Sequence, residues 1–360
     1  MFQLLPLKTD LESKEVLKQL TLAHRALAEL KGITETIPNQ GILINTLPLQ
    51  EAKFSSEIEN IITTQDELYQ SDAARNEFSS AAAKEVHHYA AAVHYGFNKV
   101  KETGFITNNT IIEIQAILEE TRAGFRKLPG TVLKNSLTNE TIYEPPQHIE
   151  EIISLMDNLE RYINDNDFSK EDALLKMAII HHRFESIHPF YDGNGRTGRI
   201  INVLYLVKEG LLDIPVLYLS RYINQYKTRY YELLQKTSAE NQWEEYILYM
   251  LKGVEETSKQ TIEIIRGIRD LMQTQKDLLK IKLPKIYSQD LLNNIFMHPY
   301  TRVSALSQAL SVQGRTAKKY LDELEEIGVL EKKVLNKKNA LYINIDLMKL
   351  LSGVNKNKDI

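Results

Sequence analysis

Between residues 172 and 206 an apolar helix has to stop, turn through glycine and start again, and few folds accommodate that. The run Asp172-Ala-Leu-Leu-Lys-Met-Ala-Ile-Ile-His-His-Arg-Phe-Glu-Ser-Ile-His188 has the apolar spacing of a mostly buried helix. Pro189 has no backbone N–H to donate, so the helix ends near His188 and presents that imidazole at its exit. Gly193, Asn194 and Gly195 let consecutive N–H groups point into one concavity, a nest for anionic oxygens. A second apolar helix is expected from about Arg196 through Ile200-Ile-Asn-Val-Leu-Tyr-Leu206, which puts the nest on its positive end. Arg196 and Arg199 share one side of its first turn, and two bidentate donors there suit a polyphosphate.

Other readings of the same residues are weaker. His181 and Glu185 form an i, i+4 pair, but the order is not His-Glu-x-x-His and no cysteine completes a zinc site. His181 and His182 are therefore expected to pack or to support their neighbours. His87, His88 and His94 lie in an alanine-rich helix, where core or interface positions are the default. Gly193-Asn-Gly195 alone would be only a tight turn; the preceding His and the two following Arg make it a phosphate site. The absence of Gly-x-x-x-x-Gly-Lys-[Ser/Thr] and of Gly-x-Gly-x-x-Gly argues against P-loop and Rossmann chemistry.

The eight positions His188, Phe190, Asp192, Gly193, Asn194, Gly195, Arg196 and Arg199 match His-x-Phe-x-[Asp/Glu]-Gly-Asn-Gly-Arg-x-x-Arg, and in that motif the chain resembles the Fic family. The resemblance extends to Pro129-Gly-Thr-Val-Leu-Lys-Asn135 with Ile142-Tyr-Glu-Pro-Pro146, which is similar to the family's β-hairpin flap. Leu217 to Tyr222, Tyr230-Tyr231 and Trp243 are similar to its later helices. Upstream, Ser55-x-x-x-Glu59-Asn60 is similar to the family's inhibitory helix, with Ser55 and Glu59 on one helical face.

The resemblance implies a protein adenylyltransferase that moves AMP from ATP to a Tyr, Ser or Thr hydroxyl. His188 would be the general base and Asp192 the Mg²⁺ ligand. ATP would be held by Gly193, Asn194, Gly195, Arg196, Thr197, Gly198 and Arg199, with Arg199 on the γ-phosphate, and bordered by Tyr230 and Tyr231. Phe190 would pin the loop to the core. The flap residues Thr131, Val132, Leu133, Lys134 and Asn135 would align the target by strand addition, although Asn135 stands where relatives often have glycine. Glu59 would pair with Arg199 and withhold it from the γ-phosphate. Two rival readings stay open: removal of AMP with Glu59 positioning a water, and a DNA-binding regulator that senses nucleotide without turnover. Transfer of another nucleotide or phosphoryl group is open as well, since the motif reads phosphates and not bases.

Zero cysteines rule out a disulfide framework. No apolar run approaches the ~20 residues that span a bilayer, and no signal peptide is apparent, so the cytoplasm, where ATP is available, is the expected compartment. Charge is uneven. Residues 281–360 hold 13 Lys or Arg against 8 Asp or Glu, so a total of −4 leaves −9 on residues 1–280. In that basic third, Val303 to Leu310 and Thr316 to Ile327 read as helices, Gly328 stops the second, and Val329 to Val334 with Ala340 to Asn344 read as a hairpin. This pattern resembles a winged helix. Lys332, Lys333, Lys337 and Lys338 would lie in its wing, and Arg315, Lys318 and Lys319 at the start of its recognition helix. DNA contact is one use of such a module and protein docking another, because Asp322, Glu323, Glu325 and Glu326 make the same helix acidic.

The expected architecture is mainly α: a Fic-type helical bundle with a small β-hairpin flap, plus a C-terminal winged-helix domain. The expected divisions are an N-terminal helical region, 1–100, with the inhibitory helix near 54–61, and a catalytic core, 101–260, with the flap at 129–146 and the motif at 188–199. A helical linker, 261–283, the winged helix, 284–350, and a polar tail, 351–360, follow. Ser13 to Leu30 is expected to be an amphipathic helix ended by Gly32. The partners implied are ATP and a protein hydroxyl, with self-modification, a homodimer and DNA left open and no membrane.

Overall fold

The computed structural model describes residues 3–74, 80–134, 141–336 and 339–352. Asn135, Lys337 and Lys338, and the tail beyond residue 352, lie outside them. The fold is mainly helical, and the chain divides into two compact units that interleave in sequence: residues 1–31, 51–61 and 88–259 form the first, and 32–50, 62–87 and 260–360 the second.

The first unit is built on two antiparallel helices that pack along their length, α7 (Ala173–Ile187) and α8 (Asn194–Lys208). Both are buried nearly all round, which explains their weak amphipathicity in the sequence. Helix α6 (Ile149–Asn164) covers α7, and α5 (Asn108–Glu119) covers α8. Helix α6 buries Ile152, Leu155, Met156, Leu159 and Ile163, a stripe at helical spacing. The start of α7 is fixed by Asp172, whose carboxylate accepts from the Leu174 N–H and meets the His24 ring. Helix α1 (Lys14–Thr34) passes through Gly32 and ends only at Thr34, so that glycine is no stop signal. Its cost in a helix, about 1 kcal/mol, is carried by the packed faces on either side. Helix α2 (Gly41–Ile58) contributes residues 51–58 to this unit. Helices α9 (Leu219–Gln225) and α10 (Lys227–Glu240) and the start of α11 (Glu244–Lys282) complete it. The strands β1 (Leu133–Lys134) and β2 (Thr141–Tyr143) form an antiparallel pair where the flap is expected.

The second unit holds α3 (Gln65–Ala74), the start of α4 (Ala81–Thr103), the end of α11 and a C-terminal module. The module runs α12 (Gln289–Met297), β3 (Tyr300–Thr301), α13 (Val303–Ala309), α14 (Gly314–Glu326), β4 (Glu331–Asn336), β5 (Asn339–Ile343) and α15 (Ile345–Leu351). Its sheet is antiparallel in the order β3-β5-β4. The module thus runs helix, short strand, two helices, a hairpin and a closing helix. Gly328 ends the turn after α14 with φ 76°, in the left-handed region.

Among the described residues, several lysines of the module are paired. Lys318 meets Asp322, Lys319 lies 3.6 Å from Glu323, Lys332 donates to Asp322, and Lys333 lies 3.2 Å from Asp66. The three helical histidines are half-buried rather than core; His87 lies 3.1 Å from the Leu68 carbonyl and His88 lies 3.6 Å from Glu120. Among the described residues, no helix is long and apolar enough to cross a membrane.

Candidate functional site

Helix α7 ends on His188, which adopts φ 49°, ψ 59° while its N–H bonds the Phe184 carbonyl at 3.0 Å. A left-handed backbone costs a non-glycine residue roughly 1–2 kcal/mol. Such strain persists only where the surroundings over-determine it. Here they do so from both sides. Asn194 accepts from the Phe190 N–H at 2.9 Å and donates back to the Phe190 carbonyl at 2.8 Å, closing the loop on itself. The Phe190 ring is fully buried and packs on Phe125 and Phe184 at 5.4 and 6.3 Å between centroids.

Helix α8 starts at Asn194, two residues earlier than the sequence pattern suggests, with Gly193 as its cap at φ 76°. The exposed Asp192 carboxylate accepts from the Gly193 N–H at 2.7 Å, and Gln115 holds the Asp192 carbonyl at 3.2 Å. One carboxylate oxygen with this loop beside it suits Mg²⁺, which needs only one or two protein carboxylates when substrate phosphates supply the remaining oxygens.

Both motif arginines are buried and engaged. Arg199 donates from Nε to the Ser55 hydroxyl at 2.8 Å, and from Nη2 to the Ser55 carbonyl at 3.0 Å and to Glu59 at 2.8 Å. Its side chain is 1% exposed, against 35% for Glu59. Burial alone would raise the Glu59 carboxyl, but the charge and hydrogen bond of Arg199 outweigh it and hold the group below its usual range. Glu59 lies one residue past the end of α2, in a turn closed by Glu59 N–H to Ser56 carbonyl at 3.0 Å. Gly195 leaves room beneath it: a Cβ there would collide with the Glu59 carboxylate, which would have to shift.

Arg196 makes a contact that the motif does not announce: its Nη2 lies 2.8 Å from Glu119, the last residue of α5, and the two side chains are 5% and 17% exposed. A Cβ on Gly193 would collide with that same carboxylate. Each motif arginine therefore has its own glutamate, lying against its own glycine. Thr197 is fully buried on the core side of α8, and Gly198 packs beside Phe184, His181 and Glu185.

Tyr230 and Tyr231 differ from one another. Tyr230 is buried, its hydroxyl 2.7 Å from His181 Nε2, so it braces α7 and does not border an open site. Tyr231 is 44% exposed and feels the charges of Glu59 and Arg199. His181 and His182 are buried and uncharged, each with its pKa pushed down to about 3 by desolvation. Burial lowers His188 to about 4, helped by the positive Arg126 and resisted by the Glu185 carbonyl, Glu59 and Asp192.

The flap is anchored to this loop at its stem. The Tyr191 hydroxyl accepts from the Lys127 and Leu128 N–H groups at 2.9 and 3.1 Å. Gln147 ties the two arms together, accepting from Gly130 N–H and donating to the Thr131 carbonyl. Thr131, Val132 and Leu133 are half-buried, and Leu133 pairs with Tyr143 across the hairpin.

Three family models match along the chain: Fic/DOC family N-terminal over residues 17–98, Fic/DOC family over 105–206, and the C-terminal domain of SoFic-like protein adenylyltransferases over 271–347. The chain belongs to the Fic family. Among Fic relatives, a probable protein adenylyltransferase from Aquifex aeolicus is 35% identical over 101 residues, 28% of this chain and 29% of that protein. The protein adenylyltransferase Fic of Drosophila melanogaster is 27% identical over 127 residues, 34% of this chain and 24% of that protein. The chain thus spans under a third of the length of the curated relatives it matches. A crystal structure of a Fic family protein from Desulfovibrio desulfuricans shares the fold, with a TM-score of 0.59 at 17% identity, covering 94% of this chain and 98% of that one. A Fic domain containing signaling protein from Bacteroides thetaiotaomicron gives 0.53 at 17% identity, covering 71% and 97%.

Two functional candidates escaped the sequence reading, Glu119 and Arg126. A glutamate on the last turn of a helix opposes the helix dipole. That local penalty is the signal that Glu119 has a distant partner. For Arg126 the sequence carries no comparable signal.

Proposed function

We propose that this Fic protein transfers AMP from ATP to a Tyr, Ser or Thr hydroxyl of a protein, itself included, and that Glu59 holds the activity in check. One observation carries the reading most: an imidazole at the strained exit of α7 is joined by one short loop to a glycine-framed helix N-terminus that carries two buried arginines. An unprotonated His188 takes the proton of the target hydroxyl as its oxygen bonds the α-phosphorus. The bond from that phosphorus to the bridging oxygen breaks, and pyrophosphate leaves. The N–H groups of Asn194 and Gly195 donate to phosphate oxygens at the positive end of α8, while that of Gly193 holds the Asp192 carboxylate beside them. Arg199, once released, meets the γ-phosphate, while Arg196 braces the nest through Glu119. Thr197 and Gly198 serve from behind the nest, Tyr231 borders the nucleotide, and residues 131–135 align the target strand. Asp192 would hold Mg²⁺, which neutralises phosphate charge when bound.

The domain ranges given by the sequence belong to this proposal: an N-terminal region carrying Glu59, a core at 101–260, and a C-terminal module for docking protein. Among the described residues, DNA is a poorer partner for that module, since Lys318, Lys319, Lys332 and Lys333 pair with Asp322, Glu323 and Asp66. A cytoplasmic address, where ATP is at hand, fits the same reading. The second reading, removal of AMP with Glu59 aligning a water, draws on the partial exposure of that carboxylate, 35%. Incubation with ATP labelled at the α- or the γ-phosphate tests the proposal: transfer of AMP leaves only the α-label on protein, and label from the γ-position overturns it.

A further inference from the structure

The Arg126 side chain is fully buried, and among the described residues every hydrogen bond it makes ends on a backbone carbonyl. Nε donates to the His188 carbonyl at 2.8 Å. Nη2 donates to the Pro146 carbonyl and, at 3.4 Å, to that of Ile187. The Arg126 N–H bonds the Pro189 carbonyl at 2.8 Å. One residue thus grips Ile187, His188 and Pro189 on the motif side and Pro146 on the far arm of the flap. A buried guanidinium normally has a carboxylate beside it; here, among the described residues, Nη1 has no partner at all.

We propose that Arg126 is a positioning residue for the transfer reaction: it holds His188 in its left-handed turn, fixes the flap to that turn, and lends the imidazole site an uncompensated positive charge. The proposal rests on His188 acting as base. The geometry explains how a strained His188 survives, since its carbonyl is captured by a fixed fork rather than by a flexible donor. It also accounts for the charge, because a cation locked near the ring disfavours protonation. The charged groups bearing on His188 are Arg126 from the flap stem, Glu59 from beyond α2 and Asp192 from the motif loop, with the Glu185 carbonyl on α7. Arg126 is the one that works with burial to keep the ring neutral, and the two carboxylates work against it.

The test uses the full chain with Arg126→Met, which keeps bulk but removes charge and fork, and Arg126→Lys, which keeps charge alone. Selective labelling of histidine, with the His188 signal assigned through His188→Gln, follows the His188 titration by NMR without any turnover. In Arg126→Met its midpoint should move up by on the order of half a pH unit or more, while in Arg126→Lys it stays near that of the parent. In the Glu59→Gly background, self-labelling should fall about tenfold or more in both variants, with the KM for ATP within about twofold. An unmoved midpoint in a folded Arg126→Met overturns the proposal. If Arg126→Met does not fold, Arg126→Lys decides: undiminished transfer in that variant refutes the positioning role. A Glu59→Gly protein whose His188 titrates low but which never labels would sink the AMP-transfer reading and leave the Arg126 test standing.

Discussion

Replacing Glu59 with glycine should switch the protein on. The Glu59→Gly change removes a 2.8 Å hydrogen bond to a guanidinium that is 1% exposed, and clears the carboxylate from the face of Gly195. A hydrogen bond between charged groups contributes roughly 1.5–3 kcal/mol. At ~1.4 kcal/mol per factor of ten, that is about a 10- to 100-fold gain in the population with Arg199 free for phosphate. The glutamate is 35% exposed, so solvent screening places the expectation nearer the lower figure. The assay is self-labelling from ATP labelled on the α-phosphate, with circular dichroism to check the fold. Glu59→Gly combined with Arg199→Ala should lose the gain, since the released group is then missing, and that non-additivity marks two residues acting through one contact. Unchanged or reduced labelling in a folded Glu59→Gly would refute the inhibitory reading and favour removal of AMP.

Four further outcomes are expected. His188→Ala should cut transfer by ~10²–10⁴-fold while ATP affinity changes little; equal losses in both would remove His188 as base. With its pKa near 4, His188 stays a competent base down to about pH 5, and the acid limb of the rate profile should bend close to 4, whereas an inflection near 6.5 contradicts the buried site. Asp192→Ala should abolish the response to a magnesium titration, and an unaltered response would deny it the metal. Glu119→Gln leaves Arg196 buried without its carboxylate and should cost about 3 kcal/mol of stability, read as a lowered melting temperature; an unchanged melt would show that the pair does not brace the nest.

A fifth follows from His182. The unfolded chain protonates this ring near ~6.5, but the folded protein only near 3. Between those values the unfolded state binds more protons, so this histidine makes stability fall as pH drops, by at most ~1.4 kcal/mol per unit. Glu51 and Glu185, raised to about 7 by desolvation, act in the opposite direction above the usual carboxylate range. His182→Gln should therefore flatten the acid-side decline in melting temperature relative to the parent, and an identical decline would exclude His182 as a source.

The sequence disclosed those parts of the site that are determined locally. Pro189 and the Gly193-Asn-Gly195 turn can only end one helix and open another, so His188, Asp192 and the arginines were placed by chain geometry. Asp172 likewise announced the start of α7. What depends on distant pairing was hidden. Glu119 and Arg196 are joined across α5 and α8, Arg126 reaches a carbonyl 62 residues away, and Tyr230 turns inward to His181. Gly32 misled because tertiary packing outweighs a single residue's helix propensity.

The central claim, that this site moves AMP and not phosphate, is tested most directly by mass spectrometry of the full chain after incubation with unlabelled Mg-ATP. The account predicts an added mass of one AMP on a Tyr, Ser or Thr of Glu59→Gly and none on Glu59→Gly with His188→Ala. An added phosphate alone, or the same AMP adduct without His188, would contradict it.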